Sequence, residues 1–167
     1  MPEDKSYLLA LHAIPGMRSR LLTPLLQEYS CAQEAWERAA EWPKRLGAAY
    51  QKCSERRWEI VPDLVYEKFL ASGLQMVTLA DALYPPALRE IYEPPHLLFY
   101  KGELPAPEKL HIAIIGSRHA TAYGKQVASW LATALAKQGV VIVGGLARGI
   151  DAVAHQGALD VAGETIA

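Results

Sequence analysis

Two short stretches hold the residues best suited to chemistry. Gly116-Ser117-Arg118 ends an apolar run, Ile112-Ala113-Ile114-Ile115, and Gly144-Gly145-Leu146-Ala147-Arg148-Gly149 ends a second, Val140-Val141-Ile142-Val143. A hydroxyl, two guanidiniums and a series of glycine amides form a set of donors, and the guest such a set suits is an anion. Arg118 can grip a phosphate bidentately beside the Ser117 hydroxyl. Arg148 stands near a helix start, where a cation opposes the helix dipole, so its placement points to a compensating ligand anion. The candidate phosphate contacts are therefore Gly116, Ser117, Arg118, Gly144, Gly145 and Arg148. The plainer alternative is a pair of strand-to-helix turns with solvated arginines. His119, Tyr123 and Lys125 flank the first turn. Asp151 and His155, four apart, can touch on one helix face. They lack a third metal ligand and a nucleophile, so they read as a structural pair steadying the helix beside the loop. No catalytic residue, metal ligand or cofactor is assigned.

The elements around these turns alternate. After the first, Val127, Trp130, Leu131, Ala134 and Leu135 recur at helical spacing. After the second, Ile150, Val153, Ala154, Gly157, Ala158 and Val161 do the same, and Glu164-Thr165-Ile166-Ala167 begins a third strand. Strand, glycine break and helix, repeated, open a doubly wound parallel α/β sheet. Continuous apolar strands fit it, because parallel strands are covered on both faces. Right-handed crossovers place both glycine breaks at the carboxyl edge of the sheet, where open α/β sheets bind ligands.

Upstream, residues 1–73 read as four or five helices. The first pair, broken at Pro15-Gly16, resembles a helix-hairpin-helix, with Arg18 where that motif has its second glycine. Arg18 and Arg20 are then the groups that reach a phosphate, against the plainer reading of an all-helical packing domain. Lys52 and Glu55-Arg56-Arg57 read as a solvated charged face. Gly73 ends the last helix, Leu74 to Leu79 forms a strand, Leu97 to Tyr100 a second, and Pro105 and Pro107 stiffen the approach to Ile112. The domains are thus 1–73, helical, and 74–167, α/β.

Composition narrows the class. The formal charge of −1 argues against a broad basic face, so anion binding falls to a few placed side chains. No apolar run is long enough to span a membrane. The amino terminus lacks the pattern of a signal peptide. Two cysteines without a shared motif suit a reducing compartment, so cytoplasm is expected. Gly-x-Gly-x-x-Gly, a Walker A Gly-Lys-Ser/Thr and a Gly-x-Ser-x-Gly elbow are all missing, which disfavours dinucleotide binding, P-loop chemistry and serine hydrolysis.

Tyr84-Pro85, Pro94-Pro95, Ile114 to Arg118, and above all Gly145 to Asp151, Ala154-His155, Gly157 to Leu159 and Gly163 to Ala167 resemble the DprA/Smf family of bacterial DNA-processing proteins. Gly144 stands where that family usually carries serine. The resemblance implies a SAM-like or helix-hairpin-helix amino-terminal domain followed by a Rossmann-like one. It implies a non-enzymatic binder of single-stranded DNA that shields incoming strands in natural transformation and hands them to the recombinase RecA. The Gly116-Ser117-Arg118 turn would line the DNA pocket, and the intact protein would be a homodimer. Family members run on beyond the final strand, so a Rossmann-like unit cut short is expected. The competing expectation is a nucleotide or nucleoside-monophosphate hydrolase on a related fold.

Overall fold

The computed structural model describes residues 2–104 and 106–167, so Pro105 of the expected stiff connector lies outside the described residues. The chain forms two compact units, Met1–Leu104 and Pro105–Ala167.

The first unit is built on helices α1 (Pro2–Ala13), α2 (Ser19–Glu28), α3 (Ala32–Glu37), α4 (Trp42–Leu46), α5 (Gln51–Arg56) and α6 (Pro62–Ala71). Leu11, Ile14, Leu22 and Leu25 fill its core, with Trp42 fully enclosed and its indole N–H donating to the Ala35 carbonyl at 2.8 Å. The α1–α2 turn closes through Gly16, and Arg18 and Arg20 after it are exposed. An antiparallel pair, β1 (Gln75–Thr78) and β2 (Leu97–Tyr100), brackets the short helix α7 (Pro86–Arg89). Chemistry along the chain changes at 73/74, where helix gives way to strand, whereas compactness divides it after Leu104. The reason is packing: Leu97 is buried in the helical core, Met76 lies against it, and Lys5 of α1 pairs with Asp81 at 3.0 Å.

The second unit contains the parallel sheet β3 (His111–Ala113), β4 (Val141–Val143) and β5 (Thr165–Ile166), in that order, connected by α8 (Ala122–Ala136) and α9 (Ile150–Leu159). This is the α/β alternation read from the sequence. Ile114, Val140 and Ile142 pack against Ala128, Ala132, Ala136, Ala154 and Ala158. The expected face of α9 is the packed one. The expected face of α8 is packed only in part: Leu135 lies against the core, but Val127, Trp130 and Leu131 are 39%, 69% and 38% exposed, and the buried stripe is Ala128, Ala132 and Ala136. Close approach of the helices explains the difference. A Cβ at Gly157 would lie 2.9 Å from the Ser129 carbonyl oxygen, and Thr133 Oγ1 donates to the Gly157 carbonyl at 2.9 Å. At that separation alanine fits the seam and leucine does not. No helix among the described residues is long and apolar enough to cross a membrane.

Candidate nucleic-acid interface

Both glycine turns leave the same edge of the sheet, since their strands are neighbours and parallel. In the first, Ser117 Oγ accepts from the His119 amide at 3.1 Å, which leaves the hydroxyl proton free to donate outward. Thr121 then caps α8, its Oγ1 accepting from the Gly124 amide at 3.1 Å. In the second, Leu146 is held at a φ of 50° and is 65% exposed. Gly149 precedes α9 with φ 96° and ψ −127°, a conformation open to glycine and little else.

The turns touch through their backbones. A Cβ on Gly149 would overlap the Ser117 carbonyl oxygen and lie 2.8 Å from Arg118 Cα. Ile150 donates its amide to that same carbonyl at 3.2 Å. Gly116 is pressed against Ile150, whose Cγ1 would be 2.8 Å from a Cβ there. The glycines are thus close-packing positions, and Arg118 and Arg148 are carried on adjoining stretches of chain.

Asp151, 3% exposed in the first turn of α9, binds the two turns to each other. Its Oδ1 accepts from the Gly116 amide at 3.3 Å and its Oδ2 from the Gly145 amide at 3.1 Å. Burial would raise this carboxyl, but the backbone donors of Gly145, Gly116, Ala147 and Asp151 itself outweigh it together and hold the group below the usual carboxylate range. The Gly144 amide donates to the Ile166 carbonyl at 3.0 Å. All three of the predicted glycine amides therefore have protein partners, and the outward-facing members of the predicted set are Ser117, Arg118 and Arg148. Both guanidiniums are exposed and have no hydrogen-bond or ion-pair partner among the described residues.

Asp151 and His155 share α9 but work separately. Thr165 Oγ1 donates to the Ile142 carbonyl at 2.8 Å, so it must accept from His155 Nδ1 at 2.6 Å, which fixes the proton on that nitrogen. His155 Nε2 is buried without a partner among the described residues. A Cβ at Gly144 would lie 2.8 Å from it. A serine side chain at 144 would accordingly face the imidazole rather than a ligand. Sequence reading missed the bridging role of Asp151. The usable signal was an acceptor side chain in the first turn of a helix that follows a glycine-rich loop, whose amides belong to no helix or strand ladder and need a partner.

The family model for DNA recombination-mediator protein A matches residues 75–167, which carry both turns. The chain belongs to the DprA/Smf family. It is 39% identical over 103 residues to the DNA processing protein DprA of Bacillus subtilis, covering 61% of this chain and 35% of that one. It is 33% identical over 175 residues to the protein Smf of Synechocystis, covering 98% and 43%. The X-ray structure of DNA processing protein A from Streptococcus pneumoniae superposes with a TM-score of 0.62 at 36% identity, covering 71% of this chain and 41% of that one. The chain spans less than half the length of these DprA/Smf relatives.

Proposed function

We propose that the paired turns hold the sugar-phosphate backbone of single-stranded DNA, with Arg118 and Arg148 gripping phosphates and Ser117 donating a hydrogen bond. The protein acts as a binder in DNA processing and not as an enzyme. It shields strands taken up in transformation, in the cytoplasm, and passes them to RecA; the intact protein does so as a homodimer. The observation that carries the reading is two exposed arginines, without partners among the described residues, on turns braced against each other. Exposed Ile115 and Leu146 in the same turns add apolar surface for unstacked bases, which a duplex does not offer.

Binding of a labelled oligo-dT tests this. Affinity should fall steeply with salt, and Arg118→Ala should weaken it about tenfold through loss of a charge-assisted hydrogen bond. The slope of log K against log salt should drop by about 0.7 for each phosphate that is no longer neutralised. Unchanged affinity would remove Arg118 from the interface, and phosphate release from nucleotides would favour the hydrolase instead.

A further inference from the structure

We infer that Asp151 is the positioning residue of this interface, its one buried carboxylate setting the spacing between the two arginine-bearing turns. The inference rests on the DNA-binding reading above and adds a residue that touches no DNA. At 3% exposure Asp151 is beyond the reach of a bound strand. Each of its oxygens is nevertheless bonded to a different turn, Oδ1 to Gly116 and Oδ2 to Gly145. Arg118 lies two residues beyond the first of these anchors and Arg148 three beyond the second, so the reach of both guanidiniums is set from one point.

The bridge needs a carboxylate in particular. Both partners are N–H donors, so the bridging group must accept at both ends. Asparagine has nearly the same shape but ends in one acceptor and one donor, and its NH2 would confront one of the glycine amides. Asp151→Asn thus opens one side of the bridge while leaving the volume of the site unchanged. The charge also gives the test a sign. A negative group beneath a phosphate site repels phosphate, so if Asp151 acted only through its charge, removing that charge would tighten DNA binding. If it acts by holding the turns, the same substitution weakens binding.

The experiment uses the 167-residue chain and oligo-dT over a series of salt concentrations, with Arg118→Ala alongside. Asp151→Asn is expected to weaken binding about tenfold and to lower the salt slope, because fewer phosphates are engaged at once. Simple loss of folded protein would reduce the active fraction and leave the slope of the remainder unchanged. Wild-type or tighter binding by Asp151→Asn, with Arg118→Ala impaired, overturns the positioning role alone. No effect from Arg118→Ala overturns the DNA-binding reading and this inference with it. A second measurement needs no variant: amide exchange of the unsubstituted chain, followed by NMR. The Gly116 and Gly145 amides should exchange slowly together, and exchange at the rate of an open loop at either one refutes the bridge.

Discussion

Replacing Gly149 with alanine is the severest small change the interface offers, and its size can be worked out. Two effects add. The residue sits at φ 96° and ψ −127°, a region essentially confined to glycine, and forcing a Cβ into it costs about 1–3 kcal/mol. The new methyl would also overlap the Ser117 carbonyl oxygen and lie 2.8 Å from Arg118 Cα. Both neighbours are backbone, so a turn must move, and overpacking of that kind costs about 1–3 kcal/mol. The total, about 2–6 kcal/mol, is a large share of the roughly 5–15 kcal/mol that holds a typical domain together. Gly139→Ala supplies the control. Its φ is 78°, but nothing lies within 4 Å of the added methyl, so it carries only the conformational part. Urea unfolding should therefore find Gly149→Ala the less stable of the two by at least about 1–3 kcal/mol, the cost of the overlap. Oligo-dT binding should fail only in Gly149→Ala, because only there must the arginine-bearing turns part. Equal stabilities would mean that the turns do not meet through their backbones, and the interface could not be built as described.

Three further outcomes can be checked with the same tools. Trp130→Gln should change unfolding free energy by no more than about 0.5 kcal/mol, since the indole is 69% exposed; a loss of several kcal/mol would put it in the core. Trp42→Ala should cost about 3–5 kcal/mol, because it empties a fully enclosed indole site and strands the Ala35 carbonyl, measured by the shift in urea midpoint. Asp81, held low chiefly by the Thr78 amide and also by Lys5, and Asp151, held low by its backbone donors, both have depressed folded-state values. Their contribution is present above the unfolded-state carboxylate pKa and lost as pH falls through the folded values, so Asp81→Asn should flatten the acid limb of a stability-versus-pH curve.

The alternation of apolar runs and glycine breaks made the α/β order legible, because strand and helix periods differ and glycine punctuates both. Adjacency of the two turns followed from strand parallelism. What stayed hidden depended on distances between elements. Val127, Trp130 and Leu131 have the periodicity of a buried face, but periodicity does not report how near the next helix comes, and where Gly157 meets α8 it faces only the small residues Ser129, Ala132 and Thr133. Likewise the spacing of Asp151 and His155 allowed them to meet. Each is drawn instead to a backbone or hydroxyl partner brought close by the fold.

The bridge also bears on which ligand the edge suits. In a glycine-rich dinucleotide turn, free amides and a helix start converge on one phosphate, and the backbone itself is the receptor. Here a carboxylate of the protein already takes up two such amides, in the first turn of α9. A mononucleotide phosphate entering that cradle would meet a negative charge and engaged donors. The positive charge without a partner among the described residues lies farther out, on two exposed arginines with exposed Ile115 and Leu146 for company. Such groups bind a chain of phosphates better than a single one, since each interaction is weak and little is asked of its geometry. This favours the polymeric strand of the proposed function over a small nucleotide at this edge, and under that proposal strong salt dependence follows from the architecture, because the two arginines offer exposed side-chain charge.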